Sequence, residues 1–116
     1  MITGVSYVSL PVSDMAVARL FYGEVLGLTL RLASANWLEF QIGTLALALY
    51  PAEKGDLRGG EVAFSVTGLD TLVQALKHKG VMFKHGIEPF ELPTGGGRLA
   101  RFFDPFGNKL ELVESA

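Results

Sequence analysis

The stretch Phe102-Phe103-Asp104-Pro105-Phe106-Gly107-Asn108-Lys109-Leu110-Glu111-Leu112 decides the fold. Proline presets φ for the second position of a turn, and Gly107 and Asn108 supply backbone freedom, so a turn between two strands is predicted. In the second strand Leu110 and Leu112 face one side of a sheet, and Glu111 faces the other. The hairpin is therefore expected to place one carboxylate away from the core.

The bulk composition bounds the class of protein. The 116 residues have the size of one domain that forms a core without disulfides or metal. Ten basic and 12 acidic residues give a net charge of −2 without runs, which argues against a nucleic-acid partner. The chain has no cysteine, Met1-Ile2-Thr3-Gly4 does not begin a signal-peptide pattern, and no apolar run approaches membrane length. We expect a soluble cytoplasmic protein that binds neither nucleic acid nor membrane.

The first half of the chain predicts a strand, a helix and three more strands. Apolar residues alternate over 5–12, and Ser13-Asp14 supplies caps for a helix over 15–26. In this helix Val17, Leu20 and Phe21 recur at helical spacing, and Gly27 can close it in the left-handed conformation. Strands are then predicted over 29–32, 36–42 and 44–50, each with an apolar face for the helix.

The second half repeats this order. A strand is predicted over 61–66, followed by a helix that Thr67 caps and Gly80 closes. A short strand over 81–83, a loop over 89–97 and a strand over 98–103 lead to the Asp-Pro turn. Within the loop, the glycines at 95–97 lack the context of a phosphate loop and are interpreted as a hairpin loop, or as a flap.

The two halves indicate an internal duplication. A shift of 54 places Tyr7 over Glu61, and a shift of 63 places Ala48 over Glu111. We predict one α+β domain over 1–116 with two tandem βαβββ modules, at about 1–52 and about 61–116, joined by a linker at about 53–60. The sheets are expected to form a curved, open, barrel-like mixed sheet with helices outside and a concave groove.

Three motifs resemble one family. Leu10-Pro11-Val12-Ser13-Asp14, the segment from Phe21 to Leu28, and the segment from Asp104 to Leu112 are similar to the vicinal oxygen chelate superfamily. This superfamily includes glyoxalase I, bleomycin-resistance proteins and extradiol dioxygenases. The resemblance implies a homodimer of paired modules, with a divalent metal in the groove that polarises vicinal substrate oxygens.

The sequence departs from that family at the positions of the metal ligands. The family's four ligand positions, usually His, Gln or Glu, fall here on Tyr7, Ala48, Glu61 and Glu111. Mg²⁺ or Mn²⁺ could bind two carboxylates and waters, whereas Zn²⁺, Ni²⁺ and Fe²⁺ sites normally require imidazole. We therefore expect Glu61 and Glu111 to form an incomplete metal site, and a bound divalent metal stays an open alternative.

Other candidate residues line the predicted groove and would bind the substrate: Tyr7, Trp37, Glu39, Ala48, Arg101 and Phe102. Trp37 and Glu39 share a strand face, for which the alternative is a dimer contact or ordinary surface. Arg98 and Arg101 have opposite strand parity, so only one can face the groove; if it is Arg101, an anionic substrate group gains a partner.

Two function classes remain open. The first is a protein of the glyoxalase and bleomycin-resistance type that binds a small organic molecule in the groove without the usual His-rich metal site. The alternative is a divalent-metal-dependent lyase, isomerase or dioxygenase that acts on a vicinal-oxygen substrate, with Glu61 and Glu111 as the catalytic residues. The missing imidazoles favour the first class, and the carboxylate pair keeps the second open.

Overall fold

The structure, a computed structural model, describes residues 1–57 and 59–116. Arg58, inside the predicted linker, lies outside the described residues. The first half contains β1 (Tyr7–Val12), α1 (Met15–Leu20) with a π-helical extension (Phe21–Val25), β2 (Thr29–Ser34), β3 (Trp37–Ile42) and β4 (Leu45–Pro51). A single 3₁₀ turn (Lys54–Asp56) follows. The second half contains β5 (Glu61–Ser65), α2 (Leu69–His78), β6 (Glu88–Leu92), β7 (Gly95–Phe103) and β8 (Lys109–Ser115).

These strands form two unclosed four-stranded mixed sheets with the same topology. The strand order is β1-β4-β3-β2 in the first sheet and β5-β8-β7-β6 in the second. β1 pairs with β4 in parallel, as β5 does with β8, and the other pairs are antiparallel. The predicted α+β class with two βαβββ repeats is therefore confirmed.

The duplication extends to the register of the strands. Ala48 lies beside Ser9 in the first sheet, and Glu111 lies beside Ala63 in the second. The antiparallel neighbour of Ala48 is Glu39, and the corresponding neighbour of Glu111 is Arg101. Equivalent positions in the two halves therefore occupy equivalent places in their sheets.

The first helix begins as predicted but buries a different face. Asp14 Oδ1 accepts a hydrogen bond from the backbone N–H of Val17 at 3.0 Å, which caps the helix. Val17 and Leu20, expected in the apolar stripe, are 41% and 62% exposed. Ala18 and Tyr22 are buried instead, and the Tyr22 ring lies 6.0 Å from that of Phe40. This places α1 against the sheet face that carries Phe40.

The second helix is capped by a distant strand and not by Thr67. Its N-cap residue is Gly68, which has no side chain to offer and adopts a φ of 67°. Glu114 Oε2 in β8 instead accepts a hydrogen bond from the backbone N–H of Leu69 at 2.9 Å. The prediction for Thr67 was wrong because the cap comes from a residue far away in sequence.

The second strand of the second half lies later in the chain than predicted. Residues 81–83 contribute only an isolated bridge between Phe83 and Phe102, while β6 occupies part of the predicted loop. Pro89 is tolerated in β6 because this strand lies at the edge of its sheet. The three glycines at 95–97 form the start of β7, so they are neither a flap nor a hairpin loop. A Cβ at Gly97 would overlap the carbonyl oxygen of Glu114.

Asn108, at the end of the Asp-Pro turn, forms hydrogen bonds with two backbone groups of the first half of the chain. Asn108 is fully buried; its Oδ1 accepts from the backbone N–H of Gly60 at 2.8 Å, and its Nδ2 donates to the Pro11 carbonyl at 2.9 Å. A Cβ at Gly60 would overlap the end of the Leu10 side chain and crowd Asn108 Oδ1, so a larger residue here would require Leu10 to move. Both main-chain groups are thereby satisfied by one side chain.

The chain forms two compact units. One contains Met1–Gly60 together with Pro105–Asn108, and the other contains Glu61–Asp104 together with Lys109–Ala116. In the part of the chain that the structure describes, no helix is long and apolar enough to cross a membrane.

Candidate functional site

Each sheet has one face turned away from its own helix, and we call this its open face. Strand alternation and register place Tyr7, Trp37, Glu39 and Ala48 on the open face of the first sheet. Register places Glu61, Arg101 and Glu111 on the open face of the second sheet. The candidate residues therefore form two groups, one in each unit.

An aromatic pair dominates the first open face. The rings of Tyr7 and Trp37 meet edge to face with 5.1 Å between their centroids, although β4 separates their strands. Tyr7 remains 48% exposed, whereas Ala48 on the intervening strand is fully buried. Because the methyl side chain of Ala48 is short, the rings can meet across β4, and Ala48 acts as the floor of this face.

A carboxylate holds the tryptophan in place. The indole Nε1–H of Trp37 donates to Glu39 Oε1 at 2.8 Å, and the other carboxylate oxygen lies 3.7 Å from Nε of Arg31. The side chain of Glu39 is only 18% exposed. The indole is therefore fixed by a charge-assisted hydrogen bond on one side and by a ring contact with Tyr7 on the other. This leaves a rigid, amphipathic surface that can stack on a flat molecule.

The second open face carries ion pairs. Arg101 Nε donates to Glu111 Oε2 at 2.7 Å, and Arg101 Nη1 lies 3.7 Å from Glu88 Oε2. The hydrogen bond with Glu111 is the main cause that raises the pKa of Arg101, and Glu88 and Glu61 add smaller charge effects. The Glu111 side chain is 13% exposed. This settles the parity question, because Arg101 shares a face with Glu111 and Arg98 lies on the opposite one.

Glu61 is more accessible and has its own cation. Its carboxylate lies 3.3 Å from Nζ of Lys109, its register neighbour on β8, and its side chain is 56% exposed. Glu61 and Glu111 therefore share a face but have different partners, Lys109 for one and Arg101 for the other. Each of the two carboxylates therefore has a cationic partner.

The donor set does not fit a resident divalent metal. Each carboxylate in the predicted pair already contacts a cation, which a metal ion would have to displace. Across residues 1–57 and 59–116, no three His, Cys, Asp or Glu side chains come together as a candidate metal site. Ala48 has no donor atom, and Tyr7 packs on Trp37. The residues present provide no ligand set through which metal chemistry can be derived.

Phe102 lies on the other side of the second sheet. It is fully buried, pairs with Leu110 in the register, and its ring contacts that of Phe83 at a centroid distance of 5.3 Å. Its neighbours Arg101 and Phe103 point to the open face instead, and Phe103 is 47% exposed. The structure thus does not bring Phe102 to the predicted ligand surface, because strand alternation turns its side chain into the core.

Sequence reasoning missed a second charged cluster, on the side of the sheet that faces α2. Arg98 Nη2 lies 2.7 Å from Asp70 and 2.7 Å from Glu114. The backbone N–H of Leu69 and then the Arg98 guanidinium lower the pKa of Glu114, while Arg98 is the main cause that lowers the pKa of Asp70. These contacts join the start of α2 to β7 and β8, so the cluster is structural. No signal within any single segment could have revealed it.

The comparisons with known proteins agree with this architecture. The solved structure of TnmS3, an antibiotic binding protein from Streptomyces sp. CB03234, is 27% identical, with a TM-score of 0.82 and coverage of 99% of this chain and 98% of that one. An integron cassette protein from the mobile metagenome of Halifax Harbour Sewage Outfall is 26% identical, with a TM-score of 0.81 and coverage of 97% and 99%. Lactoylglutathione lyase from Agrobacterium tumefaciens shares the fold at 20% identity, with a TM-score of 0.77 and coverage of 98% and 95%.

A search of the curated proteins found no match. The family profile described as Glyoxalase/Bleomycin resistance protein/Dioxygenase superfamily matches residues 4–112, which is nearly the whole chain. This match and the βαβββ repeat agree with the motifs around Pro11, Gly27 and Pro105. The chain therefore belongs to the glyoxalase/bleomycin resistance protein/dioxygenase superfamily.

Proposed function

We propose that the protein binds a small, flat aromatic molecule on the open face of the first sheet, without a resident metal. The observation that carries this proposal is the Tyr7–Trp37 ring pair, in which Tyr7 is 48% exposed and the indole is held by Glu39. A ring fixed before the ligand arrives loses little conformational entropy on binding. Flat aromatic ligands suit such a surface because stacking adds to the area they bury.

The relatives give this proposal its second support. TnmS3, which is 27% identical over nearly the full length of both chains, is an antibiotic binding protein. A binding role of this kind needs an apolar surface and a few polar groups to orient the ligand, and no reacting centre. On the first open face Tyr7 and Trp37 supply the apolar surface, and Glu39 supplies the polar group.

Tryptophan fluorescence tests the proposal directly, because Trp37 is the single tryptophan of the chain. Titration with a panel of planar aromatic compounds is expected to give saturable quenching or a spectral shift for at least one class. Tyr7→Ala should weaken that binding by about 2- to 10-fold, and Tyr7→Phe should leave it nearly unchanged because the ring remains.

The control for this experiment is Met82→Ala, which removes an exposed apolar side chain in the other unit. It should leave the affinity at the wild-type value. A compound that binds equally well to wild type and to Tyr7→Ala, as measured by calorimetry, would place its site elsewhere and contradict the proposed surface.

A second candidate function is proton-transfer chemistry of the lyase or isomerase type. The observation that favours it is Glu111, a carboxylate that faces the open side of its sheet and is only 13% exposed. The test is metal analysis of untagged protein, followed by thermal shifts with Mg²⁺, Mn²⁺, Zn²⁺ and Ni²⁺. A stoichiometric ion that is lost in Glu111→Gln would contradict the metal-free binding role and support this second function.

We also propose that the protein is a homodimer. Leu32 on edge strand β2 and Leu92 on edge strand β6 are 52% and 59% exposed, and exposed apolar side chains at the edge of a sheet offer a contact surface to a second copy. Light scattering after size exclusion should give twice the chain mass, and Leu32→Arg combined with Leu92→Arg should lower it. A strict monomer at micromolar concentration would refute the dimer.

A further inference from the structure

A small cavity lies on the second unit, away from the aromatic pair in sequence and in sheet. Its volume is about 140 Å³, and Lys84, His85, Arg101, Phe103 and Lys109 line it. Four of these five residues carry nitrogen donors, and the fifth is an aromatic ring. The composition of the wall is therefore basic.

The volume decides what can enter. Ligand pockets for whole drug-sized molecules measure roughly 300–1,000 Å³, whereas a cavity of about 150 Å³ holds a single ring such as benzene. At about 140 Å³, this cavity holds one functional group of a larger molecule or one small ion. A carboxylate or a phosphoryl group is within that size.

The orientation of the neighbouring charges favours an anion. Glu111, Glu88 and Glu61 contact Arg101 and Lys109 but are not among the lining residues. The side chains that line the cavity thus include four with nitrogen donors and no carboxylate.

The remaining donors have no carboxylate of their own. Lys84 Nζ lies 5.6 Å from the centroid of the Phe103 ring, and among the described residues neither Lys84 nor His85 forms an ion pair. Arg101 uses Nε for Glu111 and turns Nη1 toward Glu88 at 3.7 Å, so Nη2 has no carboxylate partner in the described chain. A guanidinium N–H that no carboxylate uses can donate a charge-assisted hydrogen bond to an oxyanion.

We propose that this cavity binds an oxyanion, the carboxylate or phosphoryl group of a small molecule. Lys84 Nζ and Arg101 Nη2 donate to the oxygen atoms, and Phe103 covers one side. That the oxyanion belongs to an organic ligand rests on the proposed binding function; the anion site itself does not.

The experiment uses the whole chain and three probes: inorganic phosphate, benzoate and neutral benzamide. Binding is followed by calorimetry and by the backbone amide resonances of residues 84, 85 and 101, in a buffer free of other oxyanions. Phosphate or benzoate should bind saturably, and which of the two binds more tightly identifies the source of the oxyanion. Lys84→Gln should lower the affinity for the anion by about tenfold, because it removes one charge-assisted hydrogen bond.

Lys77→Gln is the matched control, since it removes the same charge from an exposed position in α2. An equal loss of affinity in Lys77→Gln and Lys84→Gln would reveal general charge attraction and overturn the site. His85→Ala, in the adjacent loop, is the second variant should Lys84→Gln fold poorly, and its anion affinity should also fall.

The outcomes separate the two proposals. If neither anion binds while benzamide quenches Trp37, the oxyanion site is wrong and the aromatic site stands. If the anions bind at residues 84, 85 and 101 while no aromatic compound changes Trp37 emission, the oxyanion site stands and the proposed function fails.

Discussion

Replacing Asn108 by alanine tests how one buried side chain completes the first unit. Asn108 is fully buried and makes one hydrogen bond to the N–H of Gly60 at 2.8 Å and one to the Pro11 carbonyl at 2.9 Å. Alanine removes both hydrogen-bonding atoms of the side chain. The Gly60 N–H and the Pro11 carbonyl are then left without these hydrogen bonds, next to the space that the amide occupied. The variant should therefore unfold more easily than the wild type.

The magnitude follows from the burial of the two main-chain groups. Pro11 is buried, so its unsatisfied carbonyl costs about 1–3 kcal/mol, while Gly60 is partly exposed and its N–H costs about 1 kcal/mol. The sum is about 2–4 kcal/mol, a large share of the roughly 5–15 kcal/mol that stabilises a typical domain. For a chain of this length, the melting temperature should fall by about 10 °C.

Urea unfolding followed by far-ultraviolet circular dichroism measures the difference. The transition midpoint should fall while the slope stays constant, because the surface exposed on unfolding hardly changes. Asn36→Ala, at an exposed turn, is the control and should stay within about 0.5 kcal/mol. A free energy of unfolding for Asn108→Ala that matches the control would refute the reasoning.

Asn108→Asp refines the test through pH. A protonated carboxyl can accept from Gly60 and donate to Pro11, whereas the charged form cannot donate and is buried. The folded state therefore raises the pKa of the new aspartate, so its deficit against wild type at the same pH should shrink as the pH falls toward about 4 and be smallest below that pH.

Two further predictions concern the second unit. Gly97→Ala should destabilise the protein by about 1–3 kcal/mol in urea unfolding, because its Cβ would overlap the carbonyl of Glu114, whereas Gly86→Ala enters open space and should be nearly neutral. Since the first residue of α2 and Arg98 lower the pKa of Glu114, that carboxylate contributes stability above about pH 4.5 that is lost as the pH falls. Glu114→Gln should therefore lower the urea midpoint at pH 7 and flatten its decline on acidification, while the exposed control Glu91→Gln should leave the curve unchanged.

Strand periodicity and turn chemistry predicted most of the fold. Seven of the eight strands in the described residues alternate clearly or follow a strong turn signal, and their order repeats between the two halves. Sequence reasoning missed β6 because Pro89 and two glutamates interrupt the alternation of apolar residues. The sheet accepts these residues because β6 lies at its edge. The glycines at 95–97 resemble a loop in sequence, yet they begin a strand in which Gly96 and Gly97 lie too close to neighbouring backbone for a side chain.

The candidate site was predictable only to the level of strand faces. Alternation placed Trp37 and Glu39 on one strand face, but the edge-to-face contact of Trp37 with Tyr7 across β4 depends on the strand order, which no local pattern reveals. Similarly, Glu111 was expected on an open face, while its partner Arg101 emerged only from the register of β7 and β8. The pairing of strands that are distant in sequence decides which charged side chains have partners. The periodicity of a single sequence does not reveal that pairing.

The two hydrogen bonds of Asn108 also set an order of events during synthesis. The Pro11 carbonyl accepts from a side chain 97 residues further along the chain. At about 5–20 residues per second, a ribosome needs roughly 5–20 s to add that interval, during which the first four strands already exist without their closing residue. The first module is therefore synthesised before the turn that completes it. Until Asn108 is added, the Pro11 carbonyl and the Gly60 N–H lack the side chain that bonds them in the folded protein.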